Sequence, residues 1–357
     1  MNKIFTKVII AAFAAVILTL SVSAAVDSDG YTLITTADEF LAINDDLAGN
    51  YRLANDIDFA DTAFSPIATT DLPFTGKFDG AGFTVKNITL SVNASSDAFA
   101  AVFISSDEGA IENVIFDSCV ISATASNNAY SAVAVAVNNG SVTDVTVQNS
   151  TVSATSDYFA ARVAGITAYN MTSGVITNCS SSATINAESF HLYSDAAGIS
   201  AVNVGTINTS TNSGNIYTTS APSDAVAAGI VGTNYGSISD SSNTGNITVT
   251  TVNGTAIGNG ITGNDAGATS GGENTGKITI NTGSDDILYG DVDNDGSITP
   301  TDNVVLARYI ASWTGYETIN ESAADVNTDG TIGPDDNVIL ARHTANWNGY
   351  ETLPYVG

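Results

Sequence analysis

The sequence predicts a mostly β chain, built as a solenoid and followed by a small helical module. Three observations predict this. Short phrases of glycine and β-branched residues recur through the middle of the chain at a period of about 31 residues. Helical periodicity is absent there, and the whole 357-residue chain holds only six prolines. Near the end, an acidic stretch and the residues after it are duplicated at a different offset, 34 residues.

The first element is residues 1–24. Lys3 and Lys7 form a positive start, an apolar run follows from Val8 to Leu20, and Val22-Ser23-Ala24 offers small residues for cleavage. This is the pattern of a secretory signal peptide. The run is short for a membrane span, so the expectation is a secreted chain with no span after cleavage. Losing the two lysines takes the formal charge from −28 to −30. Such an acidic surface repels nucleic acid and anionic membranes. It favours divalent cations and neutral partners such as glycans.

Residues 25–60 read as an N-terminal cap segment. Thr36-Ala37-Asp38-Glu39 is a capping box, with Phe40, Leu41 and Ile43 behind it. A short helix there would cover the open end of the solenoid, where strand edges are otherwise unpaired. Tyr51, Leu53, Ile57 and Phe59 then alternate as a strand.

Residues 61–280 carry the repeats. Gly-x-Ile or Gly-x-Val starts at Gly109, Gly140, Gly174, Gly205 and Gly236, spaced 31, 34, 31 and 31 residues apart. Ala-Ala-Gly-Ile stands at 196–199 and at 227–230, and a third phrase starts at Gly214, Gly245 and Gly276. Each repeat holds β-prone runs broken by Gly and Asn, so one repeat makes one turn and apolar positions stack turn upon turn. Gly and Asn are expected to supply positive φ at the corners. Val114, Val145, Cys179, Ser210 and Ser241 fall in one column. Cys119 belongs to another column about two turns away, too far for a disulfide.

Phrases such as AAGIVGTNYGSISDSSNTGNITV (227–249), with a lead-in at 36–59 and FTGKFDGAGFTVKNITL at 74–90, resemble the GLUG-motif repeats of secreted bacterial and archaeal surface proteins. The resemblance implies a right-handed parallel β-helix and no single activity. Cleavage of acidic polysaccharides needs clustered bases, or carboxylates paired at a set separation. Arg52, Lys77, Lys86, Arg162 and Lys277 are scattered over the repeats. Asp117, Asp144, Asp157, Glu188, Asp195, Asp224 and Asp240 show no partner at a constant offset, which reads as solvated surface acids. His191, beside Phe190 and Tyr193, reads as a packed or surface residue.

After a linker at 281–290 comes the duplicated module, 291–357. DVDNDGSITPTD begins at Asp291 and DVNTDGTIGPDD at Asp325. Both have the spacing of a calcium loop, with oxygen ligands at positions 1, 3, 5, 7, 9 and 12 and glycine at 6. The first set is Asp291, Asp293, Asp295, the Ser297 carbonyl, Thr299 and Asp302. The second is Asp325, Asn327, Asp329, the Thr331 carbonyl and Asp336, with water at Gly333. Two Ca²⁺ ions are expected, bound tighter in the first loop, which brings four carboxylates against three. Ile298 and Ile332 at position 8 are expected to pair in a small β-bridge. Pro300 and Pro334 suit the first turn of a helix leaving each loop.

A loop followed by a helix, duplicated at this spacing with no comparable helix entering before Asp291, resembles the type I dockerin module. That family implies two calcium ions and a cohesin domain as partner, on a scaffoldin or cell-surface protein. Partner choice in the family falls on loop positions 10 and 11 and on the exit helix. Here those are Pro300, Thr301 and Arg308, then Pro334, Asp335 and Arg342. The family often has a small hydroxyl pair at the loop positions, so this chain departs from it. The arginines have a second reading, in which they cap helix ends or pair with local acids. The functional readings, in order, are a non-catalytic assembly or adhesion protein whose solenoid binds glycan, adheres or spaces; a polysaccharide-degrading enzyme with a catalytic β-helix; and a structural surface-layer component.

Overall fold

The structure is a computed structural model that describes residues 25–220, 223–252, 254–283 and 288–355. Residues 1–24, where a signal peptide is expected, and the middle of the expected linker lie outside the described residues.

The repeat period becomes a parallel β-solenoid of three ladders. One ladder begins with Thr32–Ile34, Asn50–Leu53 and Lys77–Asp79 and continues through the long strands Phe103–Asp117 and Val135–Gln148. A second stacks seven strands, from Thr89–Ala94 to Ile278–Gly283. A third stacks six alanine-rich strands, from Ala98–Ala100 to Ala256–Asn259. Every strand pairing between turns is parallel, and the partner is always the same position one turn away. Thus Ile111, Val142, Ile176, Ile207 and Ile238 are successive partners. So are Ile121, Val152, Ile185, Ile216 and Ile247. All ten are buried, and each such side chain contributes about 1.5–3 kcal/mol. The 34-residue step gains one residue at the corner Asp157–Ala160 and two at Met171–Ser173, which bulge outward as an exposed turn. A longer surface loop costs little closure entropy.

The corners bear out asparagine at positive φ, and glycine at Gly271 (φ +66°), but correct the expectation for the Gly-x-Ile glycines. Asn113, Asp144, Asn178, Thr209 and Asp240 form the positive-φ column, at 56°, 55°, 52°, 47° and 50°. The repeat glycines do not have positive φ; close approach selects them. A Cβ at Gly236 would lie 2.0 Å from the carbonyl oxygen of Gly205 on the turn before. Asparagine has a second use inside. The side-chain amide of Asn138 donates to Asn170, Asn170 to Asn203 and Asn203 to Asn234, each at 2.8 Å, and all four residues are buried. Buried amides tolerate this only because each finds its partner.

The cysteines are free and buried. The Cys119 amide donates to Ser150 Oγ and the Cys179 amide to Ser210 Oγ, which places them in separate columns. Burial pushes the two thiols up to about 11 and about 12, so both act as inert packing groups.

At the N-terminal end, helix α1 (Ala37–Leu41) closes with the expected capping box between Thr36 and Glu39. It delivers Phe40 into an aromatic layer with Phe59, Phe78 and Phe103, at ring separations of 5.4–6.4 Å. The strand expected from Tyr51 to Phe59 is two strands, Asn50–Leu53 and Ile57–Asp58. The break between them turns the chain from the Asn50–Leu53 position on the solenoid wall to the next.

The C-terminal module has helices α2 (Pro300–Ile310), α3 (Glu321–Ala324) and α4 (Pro334–Thr344). Proline stands first in α2 and α4, where no amide hydrogen is needed. Val292, Leu306, Ala324 and Leu340 make its core. The described residues contain no β-bridge between Ile298 and Ile332. Both side chains instead pack against that core, because burying them there satisfies the hydrophobic demand without a strand pair. No helix among the described residues is long and apolar enough to cross a membrane.

Candidate functional site

The two acidic loops fold alike. In the first, Gly296 at φ +88° and Asn294 at +60° turn the chain sharply. The Asp291 carboxylate accepts from the amides of Asp295 and Gly296 at 3.0 Å each. Buried Asp302 accepts from Val292 at 2.7 Å, Asp293 at 3.1 Å and Thr299 at 2.8 Å. These bonds aim one oxygen each of Asp291, Asp293 and Asp302 to within 4.8 Å of one another. Burial, then repulsion from Asp302, raises the Asp293 carboxyl above its ordinary value.

Three carboxylates so close repel unless a cation neutralises them. An all-oxygen set around a glycine-turned loop fits a hard divalent ion such as Ca²⁺, with ligands 2.3–2.6 Å from the metal as a rough guide. Asp295 stands outside that trio; its Oδ1 accepts from the Ser297 amide at 2.9 Å. Thr299 is the N-cap of α2, its hydroxyl accepting from Thr301 at 3.1 Å.

The second loop repeats most of these hydrogen bonds, though its Val326 amide donates to the Ala324 carbonyl rather than to Asp336. Asp325 accepts from Asp329 at 3.1 Å and Gly330 at 2.9 Å, Asp336 from Gly333 at 2.8 Å, and Asp329 from the Thr331 amide at 2.9 Å. Gly330 has φ +87°. Its third position differs: the Asn327 amide nitrogen donates to Asp329 at 3.0 Å and Asp335 at 3.1 Å. Among the described residues the close carboxylate trio occurs in the first loop and not in this one. Burial raises the Asp336 carboxyl, and the Thr331 hydroxyl lowers that of Asp329.

The residues expected at the partner face divide into two groups. Pro300, Thr301, Pro334 and Asp335 are exposed on the first turns of α2 and α4. Val304 and Val338 join them, each 46% exposed one turn further on. Sequence reading missed these valines, whose signal was their i+4 spacing from the prolines. The arginines stand a further turn along the same helices, half-buried. The Arg308 guanidinium lies 5.5 Å from the Trp313 ring centre and 4.8 Å from that of Tyr316, and it donates to the Tyr316 hydroxyl. Arg342 repeats this with Trp347 and Tyr350, at 5.6 and 5.0 Å. Neither pairs with an acid among the described residues; aromatic faces and a phenol hold both. The surface they leave open is indole, since Trp313 and Trp347 are each 57% exposed.

The solenoid also departs from expectation. Asp195 is not a solvated surface acid: it is buried, it accepts from the Thr233 hydroxyl at 3.1 Å, and it faces Arg162 Nε at 3.7 Å. Arg162, Asp195, Asp224 and Asp265 line one groove of about 590 Å³. Constant-offset reading missed the cluster because its members come from two ladders and from turns of 33 and 31 residues. His191 stays at the surface, against Tyr158.

Residues 289–343 match the dockerin type I domain. No curated protein sequence matches the chain. Among solved structures, the fold is similar to a Bacteroides ovatus protein provisionally described as an immunoglobulin A1 protease. The TM-score is 0.56 at 18% identity, over 71% of this chain and 78% of that one. At that identity the likeness speaks for the β-solenoid fold alone.

Proposed function

From a dockerin type I domain at residues 289–343, we propose that the chain is an assembly protein. Its calcium-loaded C-terminal module binds a cohesin domain on a scaffoldin or surface protein, outside the cell, and the solenoid is the cargo it presents. The observation that carries this reading is the pair of loops that share most of their hydrogen bonds and a carboxylate trio drawn together in the first. Asp291, Asp293, Asp295, Ser297, Thr299 and Asp302 hold one ion in this reading. Asp325, Asn327, Asp329, Thr331 and Asp336 hold the second, more weakly, because Asn327 replaces a carboxylate. Bound calcium cancels the repulsion and fixes α2 and α4 so that Pro300, Thr301, Arg308, Pro334, Asp335 and Arg342, with Val304 and Val338 beside them, form the docking face.

The test is capture of the full chain on immobilised cohesins, with calcium and with EDTA. Capture in calcium that is lost in EDTA and restored by added calcium supports the reading. A chain that binds calcium but none of a broad cohesin set overturns it. A titration in which the second loop fills first overturns the ranking of the two sites.

A further inference from the structure

The groove on the solenoid breaks the rule by which the rest of its wall is built. Along the third ladder the groove-side residues are, turn by turn, Phe99, Tyr130, Arg162, Asp195, Val226 and Ile257. The column is apolar or aromatic at both ends and carries a cation and an anion on adjacent turns in the middle. A buried ion pair is weak as a source of stability, since both charges leave water. An apolar pair would continue the column at no such cost. The position therefore reads as functional rather than structural.

The pair is held in place. Phe99 stacks on Tyr130 at 4.7 Å and 2°, and the Arg162 guanidinium lies 5.4 Å from the Tyr130 ring centre and 5.2 Å from that of Tyr193. It donates to both phenol oxygens. With Asp195 behind it, Arg162 offers little free charge, so the floor of the groove is polar and neutral. The rim is different. Tyr193 and Tyr235 are 37% and 60% exposed, and Asp224 and Asn264 are exposed beside them. Asp265 also reaches the rim, but its Oδ1 already ends the asparagine ladder, accepting from Asn234 at 2.8 Å.

The groove follows the stack from the turn of Arg162 to that of Asn264. At about 4.8 Å per turn this spans about 15 Å, long enough for several units of a linear chain. Exposed tyrosine faces suit the C–H faces of sugar rings, and carboxylate and amide groups suit hydroxyls that both donate and accept. Uncompensated acids at the rim, in a chain of formal charge −28, repel an acidic polymer. We propose that this groove binds a neutral oligosaccharide running along the solenoid axis, with Tyr193 and Tyr235 as stacking platforms and Asp224 and Asn264 as hydroxyl partners. This deepens the presenting role proposed for the solenoid and rests on it.

The test is calorimetry on the full chain with cello-, xylo- and manno-hexaose and with hexagalacturonate, each in calcium and in EDTA. At least one neutral hexaose binds, hexagalacturonate does not, and EDTA leaves the sugar affinity unchanged. Tyr235→Ala weakens binding by about tenfold, and Asp224→Asn weakens it as well. Tyr217→Ala, at an exposed tyrosine on a different ladder, leaves it unchanged. These are surface changes, so folding is preserved and checked by far-UV circular dichroism. The proposal is overturned if no neutral hexaose binds, if hexagalacturonate binds as tightly, or if Tyr235→Ala and Tyr217→Ala behave alike. Loss of cohesin capture with sugar binding intact would instead count against the docking role alone.

Discussion

Replacing Asp302 with alanine removes the group on which the first loop closes. The side chain is fully buried, and its two oxygens accept three backbone amides, from Val292, Asp293 and Thr299. Hydrogen bonds to a charged acceptor are worth about 1.5–3 kcal/mol each, so the three sum to at least about 4 kcal/mol. A small module around Val292, Leu306, Ala324 and Leu340 has on the order of 5 kcal/mol in total. Asp302→Ala should therefore leave the module largely unfolded without calcium and remove a proposed calcium ligand as well. Asp302→Asn keeps the shape and one acceptor oxygen, so its effect should be intermediate. The assay is calcium titration of the full chain by calorimetry, followed in parallel by the near-ultraviolet signal of Trp313 and Trp347. The expected result for Asp302→Ala is loss of the first site and a weakened second one, because Leu306 and Leu340 share one core. Unchanged stoichiometry, affinity and melting would refute the claim that the loop closes on this carboxylate.

Three further outcomes are expected. Thr209 is the one β-branched residue in the positive-φ column, at 47°; Thr209→Asn should relieve about 1 kcal/mol of strain and raise the solenoid's melting midpoint by about 2–4 °C. Gly236→Ala sets a Cβ 2.0 Å from the Gly205 carbonyl oxygen, so it should cost about 3 kcal/mol and speed limited proteolysis of the solenoid; wild-type resistance would show that the turns can part freely. The Asp293 and Asp336 carboxyls are raised in the calcium-free fold, chiefly by burial. Their stabilising effect on that fold is present on the acid side and lost as pH rises through the raised values, whereas calcium competes with the same protons. Acidification should therefore weaken calcium binding, measured by titration at several pH values, while raising the contribution of these two groups to the stability of the EDTA-treated module; calcium affinity flat across that range would refute this.

The two acidic loops were the most legible part of the chain, because their carboxylates lie within twelve consecutive residues and local turn chemistry alone arranges them. The solenoid was legible as a period, and its columns followed from counting. The reason for its glycines did not, since a repeated glycine looks the same whether it serves a positive φ or a close approach. The arginines at 308 and 342 were ambiguous because their aromatic partners lie five and eight residues on, past the helix end, where the chain's return path decides the contact.

What the sequence determined by itself was whatever depends on spacing along the chain: the turn length, the two acidic loops, the proline-started helices and the separation of the cysteines. What only the tertiary structure decided was whatever depends on which columns meet across the wall. Arg162 and Asp195 are one turn apart on one ladder, and Thr233 comes from another. Nothing local to any of them encodes the meeting; it arises because parallel stacking brings residues about thirty positions apart to within one strand spacing of each other.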